Sequence, residues 1–345
     1  MTYLINFMGM NIIKLFLLFL MLFCFFPFVS GQEKKINGMS MVASRSLIDQ
    51  NQAKELKQTG SNFIAVMPYA FMPKADTPQL FFDNEQQWNG ETLGGIESDI
   101  QTLKTQGLKI MVKPHIWVGS GTFTGKIAMS SEAHWKAFES QYKQYILAFA
   151  QLAEENDVEL FCLGTELNSF AIQRKDFWCD FITEVSTVYS GKLTYAENWD
   201  SYDNVGFWDS LDFIGIDAYF PISEERTPST KNIKSSWFVL KRDLKAFSQS
   251  LQTKILLTEY GYRSMDYAGK QPWDSSREER PVNQTAQLNL LKGLHESLWD
   301  EGWFAGGFLW KWFPNFNESG KRHQNRFTVQ GKRSESYLKS FYSRK

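Results

Sequence analysis

The chain has 345 residues, 43% of them hydrophobic and 22% charged, which supplies a large core and excludes wholesale disorder. A formal net charge of −1 leaves no basic footprint for nucleic acid. Four scattered histidines, no Cys/His pair at zinc spacing and no glycine loop of the phosphate-cradling kind imply neither metal nor other cofactor.

In chain order, the first feature is an export signal over residues 1–31. Lys14 precedes an apolar run from Leu15 to Phe26, followed by Pro27 and the small-residue site Val29-Ser30-Gly31. The run is short for a permanent membrane span. Met10 is an alternative start, and a lipid anchor on Cys24 is disfavoured by bulky Phe23 before it. An exported protein, periplasmic or extracellular, is expected, with a single domain over 32–345. Cys162 and Cys179 then remain, one in a strand and one in the next helix, and read as thiols rather than a disulfide framework.

Beyond residue 35, strand-like and helix-like stretches alternate. Strands are expected at Ile36–Ala43, Phe63–Tyr69, Leu108–Trp117, Leu160–Thr165, Leu193–Asn198, Phe213–Tyr219, Lys254–Tyr260 and Ala305–Trp312. Amphipathic helices are expected at Leu47–Gln58, Gly95–Gln106, His134–Glu155, Asp176–Tyr189, Ile233–Ser248, Thr285–Asp300 and Ser334–Tyr342. The fifth connection, Asp203–Asp209, carries the weakest helical pattern. This order predicts an α/β fold, a single (β/α)8 TIM barrel. Helix-to-strand links such as Thr59-Gly60 are short. Strand-to-helix segments such as Ala70–Leu93, Gly119–Ser131, Pro221–Lys231, Arg263–Val282 and Phe313–Arg333 are long. In a barrel these long loops gather on the catalytic face.

Strands four and seven end alike, in Thr165-Glu166 and Thr258-Glu259. A carboxylate after an apolar run is too costly to desolvate fully, so each glutamate belongs at the rim of the core. Two such groups at one mouth are what acid and nucleophile chemistry on a glycosidic bond requires. The plain alternatives are a pairing of Glu166 with Arg174 and a salt bridge of Glu259 within its own loop.

The chain resembles glycoside hydrolase family 113, within the clan A glycoside hydrolases. The resemblance rests on Lys113-Pro114-His115-Ile116-Trp117, Gly164-Thr165-Glu166, the run Phe213–Pro221, Thr258-Glu259-Tyr260-Gly261-Tyr262, the run Gly307–Trp312, and the tail Phe327–Lys332. It implies endo-β-1,4-mannanase activity on a polysaccharide or oligosaccharide, with Glu166 as acid/base and Glu259 as nucleophile of a retaining double displacement. Another β-linked glycan, or a barrel that binds carbohydrate without cutting it, are the alternatives. Thr165 stands where many clan members carry Asn, so contact with the sugar 2-hydroxyl must come from elsewhere, with Asn198 and Asn168 as candidates. Tyr219 is placed to hold the nucleophile ionised, or is a plain core aromatic. Trp310 is the expected sugar-stacking floor. Trp312, two residues on, should share its face while Lys311 takes the other. His115 and Trp117 share a face of strand three, as sugar contacts or, for His115, as a structural histidine. Trp199 and Tyr262 complete the candidate binding residues. Lys113, Arg45 and Asp217 are candidate members of the polar network, Asp217 preferably as a tie between strand ends.

Overall fold

The computed structural model describes residues 34–276, 280–316 and 323–344. The expected export signal at residues 1–31 lies outside them. Among the described residues, ten strands follow in order: β1 Ile36–Met41, β2 Phe63–Val66, β3 Tyr69–Met72, β4 Lys109–Val112, β5 His115–Val118, β6 Leu160–Thr165, β7 Lys192–Asn198, β8 Phe213–Asp217, β9 Lys254–Tyr260 and β10 Phe304–Trp312. Eight of them close a parallel barrel in the order β1-β10-β9-β8-β7-β6-β4-β2, with α-helices in all but one of the connections between consecutive barrel strands, as the alternation predicts.

The remaining two, β3 and β5, pair in parallel above the barrel, Tyr69 opposite His115 and Phe71 opposite Trp117. The sequence places His115–Trp117 at the outer end of strand three, but of β3 only Tyr69 in strand two, with Ala70 onward expected as loop. Pro68 and Pro114 interrupt both runs, because proline has no N–H for the ladder. Pairing resumes on either side through Lys113 N to Val66 O and His115 N to Pro68 O, both 2.9 Å. The hydroxyl of Tyr145, from the helix Glu132–Glu155, lies 3.0 Å from both the Pro68 and the His115 carbonyl oxygens. The fifth connection carries no α-helix but two 3-10 turns, Tyr202–Asn204 and Trp208–Ser210.

Helices begin where a side chain can accept the free backbone N–H groups. Asp49 and Gln52 form a capping box, and Ser131, Ser229 and Asn283 cap three of the later helices. Strand residues divide between two apolar layers. Ala65, Met111, Cys162, Ala196, Leu256 and Phe308 fill the barrel interior. Ile64, Ile110, Leu163, Ile214 and Leu257 face the helices, against residues such as Ile100, Phe149, Trp178, Trp237 and Leu294. Among the described residues, no helix is long and apolar enough to cross a membrane.

Phe308 holds the centre of the interior, its ring edge-on to Phe63 at 6.2 Å. Gly38 leaves room for it, since a Cβ there would collide with the ring. Phe308→Ala is expected to cost about 3–5 kcal/mol, measured as a lower denaturant midpoint at unchanged slope. A loss under about 1 kcal/mol would mean the interior collapses around the gap.

Candidate active site

Lys113 follows β4 at the proline break, and its buried ammonium is the hub of the mouth. It donates to both carboxylate oxygens of Asp217, at 3.0 and 3.1 Å, and to Oε1 of Glu259. Asp217 ends β8 and also accepts the Thr258 hydroxyl at 2.7 Å, which ties β8 to β9 as expected. Oε2 of Glu259 accepts the Tyr219 hydroxyl at 2.7 Å. Strict alternation would turn Glu259 outward with Leu257. A register shift in β9, where Ile216 pairs with Leu257 but Asp217 with Glu259, inserts one residue and aims it inward.

Glu166 ends β6 in the left-handed region, with φ of 53°. Such a conformation costs of order 1–3 kcal/mol for a residue with a Cβ. It is pinned by Glu166 N to Ala196 O at 2.7 Å, Leu167 N to the Tyr195 hydroxyl at 2.8 Å, and Thr165 Oγ1 to Pro114 O at 3.1 Å. Its carboxyl has no hydrogen-bond partner among the described residues. Arg174 is not its partner: that guanidinium binds Glu132 and Glu139. Nor, among the described residues, does Glu259 pair within its loop.

Burial alone would lower the Lys113 pKa, but Asp217 and then Glu259 outweigh it and hold the ammonium charged. Asp217 is raised to about 7 by burial and by Glu259, against Lys113 and Thr258. Glu166 is pushed well above the usual carboxyl range, by burial first and then by Asp217 and Glu259. One ammonium cannot balance three neighbouring carboxylates, so the group without hydrogen bonds takes the proton. His115 stays neutral, its pKa lowered by burial and by Lys113, with Nε2 3.9 Å from Glu259 Oε1.

A cavity of about 430 Å³ opens beside this cluster, lined by Tyr69, Trp88, Glu91, Trp117, Trp310 and Lys311 among others. Trp310 and Trp117 therefore stand where the sequence puts them, Trp117 58% exposed. The shared face of Trp310 and Trp312 does not form. Ser40 pairs with Trp310 and Met41 with Trp312, so Lys311 is an extra, bulged residue. Trp310 and Lys311 both line the cavity, while Trp312, 4% exposed, joins the core. Tyr262 is 1% exposed and also lies in the core. Trp199 stacks on Trp273 at 5.0 Å and meets Phe220 edge-on. Asn198 Oδ1 accepts Trp199 N within its own turn at 2.9 Å. Arg45 lies over the Trp88 ring at 5.0 Å, outside the Lys113 cluster. Buried polar atoms without a partner among the described residues include Ser40 Oγ, His115 Nε2, Asn168 Nδ2 and Trp312 Nε1. His115 and Asn168 come from segments that frame the mouth, whereas Ser40 and Trp312 are buried within the strands.

Sequence reasoning missed Tyr69, Trp88, Glu91, Lys311 and Glu197. Glu197, buried on β7, accepts from the Tyr195 hydroxyl at 3.1 Å, Ser201 Oγ at 3.0 Å and Asn198 N at 2.8 Å. A carboxylate one residue before the end of a strand was the available signal. Among the described residues, no group of three or more His, Cys, Asp or Glu side chains is placed to hold a metal ion.

The family model of Glycoside Hydrolase Family 113 matches residues 44–332. The chain belongs to that family. It is a glycoside hydrolase, and no functionally curated protein matches its sequence. Among solved structures, it is similar to the family 113 β-mannanase AaManA of Alicyclobacillus acidocaldarius in complex with ManMIm. That match has 22% identity and a TM-score of 0.78 over 90% of this chain and 97% of the other. A second family 113 β-1,4-mannanase matches at 23% identity and TM-score 0.78, over 90% of this chain and all of the other. A Bifidobacterium dentium β-glucuronidase matches at 11% identity and TM-score 0.59, over 90% of this chain and 46% of that larger one.

In this family 113 hydrolase the raised Glu166 pKa has a cost in stability. Above the ordinary carboxyl pKa of 4.5 the folded state holds a proton that the unfolded state releases. Stability therefore falls as pH rises from there toward the raised value. Glu166→Gln removes that titration. Its melting temperature is expected to exceed the wild type's by about 2 °C or more at pH 8, and by less at pH 5. Melts followed by circular dichroism at both pH values check this, and an equal difference at the two would refute it.

Proposed function

We propose that this glycoside hydrolase cleaves β-1,4-linked mannose-containing polysaccharide by a retaining double displacement. Support comes from the opposite treatment of two carboxyls. Glu259 receives hydrogen bonds on both oxygens, from Lys113 and Tyr219, which hold it in one orientation. Glu166 receives none and is driven toward its acid form. One is thus prepared as nucleophile and the other as proton donor.

In the first step a Glu259 oxygen bonds to the anomeric carbon, and the bond from that carbon to the leaving oxygen breaks. The Glu166 proton passes to that oxygen. In the second step Glu166, now a carboxylate, takes a proton from water as the water oxygen attacks the anomeric carbon. The sugar–Glu259 ester bond breaks and both carboxyls return to their starting states. The mannose assignment is supported by the β-mannanases of the same family among the similar structures. Export is proposed as well, on the signal-like pattern before residue 32.

Glu259→Ala is expected to abolish turnover with the fold intact, and added azide to restore it with a glycosyl azide of inverted configuration. Glu166→Ala should slow mannan hydrolysis about 10²–10⁴-fold, and aryl glycosides with good leaving groups far less. In the wild type kcat/KM should fall as pH rises through the raised Glu166 pKa, because the proton donor is lost, and Glu166→Ala should erase that limb. Product analysis on β-mannan, glucomannan, xylan and cellulose tests the sugar. Near wild-type mannan hydrolysis by either variant would disprove the roles, and a preference for xylan or cellulose would disprove the substrate.

A further inference from the structure

The cavity beside Trp310 carries two charged groups that the chemistry above does not use. Lys311 lines it through the bulge in β10. Among the described residues its ammonium contacts only ring faces, with Nζ 5.0 Å from the centre of Trp310 and 5.2 Å from that of Phe313. Glu91 lines it from the turn Asn89–Glu91 and is 9% exposed. One of its oxygens accepts Trp88 N at 3.0 Å. The two are not ion-paired to each other, so an ammonium with three donors and a carboxylate oxygen with open lone pairs share one aromatic-walled space.

The position of the cavity relative to the cut follows from the barrel. In the closed strand order, β10 lies diametrically across the ring from β6, which carries Glu166. The leaving sugar departs on the side of its proton donor. The cavity, between the ends of β1, β3, β5 and β10, lies on the other side, next to the nucleophile. Tyr69 marks the path: it lines the cavity, its ring is 5.2 Å from His115, and its hydroxyl is raised by burial, then by Glu259, and also by Glu91.

We propose that Lys311 and Glu91 are specificity-determining residues that hold an uncharged sugar unit on the non-reducing side of the scissile bond. The Lys311 ammonium donates to sugar hydroxyl oxygens and Glu91 accepts from a sugar hydroxyl, while Trp88, Trp117 and Trp310 supply the apolar faces that sugar rings pack on. A cation and an anion in one cavity leave no net charge to attract a carboxylate-bearing unit, and Glu91 repels one. A second cavity that shares Phe71 and Gln86 with the first continues the groove outward along Asn84 and Glu85. The assignment of the non-reducing side rests on the catalytic roles proposed above.

The test reads binding, apart from turnover. β-1,4-Mannotriose is titrated into the wild type, Lys311→Met, Lys311→Arg and Glu91→Gln, followed by tryptophan fluorescence and calorimetry under conditions that outpace hydrolysis. Thermal melts confirm folding of each variant. A β-1,4-linked trisaccharide ending in a uronic acid serves as comparator. Kd for mannotriose is expected to rise about tenfold or more in Lys311→Met and in Glu91→Gln, the loss of one charged hydrogen bond, with Lys311→Arg closer to wild type. The wild type should bind the acidic trisaccharide more weakly than mannotriose. An unchanged Kd in either neutralised variant, no mannotriose binding by the wild type, or tighter binding of the acidic sugar would each overturn the inference. If binding follows expectation but the wild type cuts no β-mannan, the proposed reaction fails and the role of the two residues stands.

Discussion

A single ammonium group, that of Lys113, sets the terms for the whole mouth. Taking it out of water is costly, and only close carboxylates can offset that cost. Asp217 and Glu259 do so together. Lys113 follows β4, Asp217 ends β8 and Glu259 ends β9, and β4 and β9 lie across the ring from each other. The contact that joins opposite rims of the barrel is therefore also the contact that holds one oxygen of Glu259. The mouth therefore cannot loosen without moving the groups around Glu259.

The remaining charge follows from that arrangement. Lys113 is already engaged twice, and Asp217 and Glu259 are near enough to raise Glu166. Glu197 adds a fourth buried carboxylate, satisfied by Tyr195, Ser201 and the Asn198 amide. Tyr195 connects it to the chain just past Glu166 by accepting the Leu167 amide. The left-handed backbone at Glu166 is thus fixed from three sides while its carboxyl is left without a partner. A rigid backbone with an unsatisfied acid is the arrangement expected of a group that must meet a proton acceptor which arrives with the substrate.

The barrel was legible in the sequence because hydrophobic runs and turn residues are local. All eight strand regions were found, and both Thr-Glu ends pointed to one rim. Side-chain direction was less legible wherever the strands depart from strict alternation. One extra residue in β9 aims Glu259 inward, and one in β10 moves Lys311 beside Trp310 while Trp312 drops into the core. Such bulges cluster at barrel rims beside active sites, so the period-two rule failed where the chemistry lies. Pro68 and Pro114 were visible, but that they split two strands in register was not. Trp88 and Glu91 sit in a long loop with no periodicity, and only the folded path brings them to Trp310. Tyr262 shows the reverse: a residue three positions past Glu259 that turns into the core.

Two lysines of this mouth sit in opposite environments. Lys113 has two carboxylates within hydrogen-bond reach, and their charges raise its pKa despite complete burial. Lys311 has aromatic faces instead, and burial lowers its pKa, with Arg326 adding to the effect and Glu259 only partly opposing it. The first ammonium is saturated, and moving it would leave two buried carboxylates unpaired. The second has donors to give, held in place by rings that cannot accept strong hydrogen bonds. The fixed cation therefore lies beside Glu259 and the available one beside the Trp310 ring.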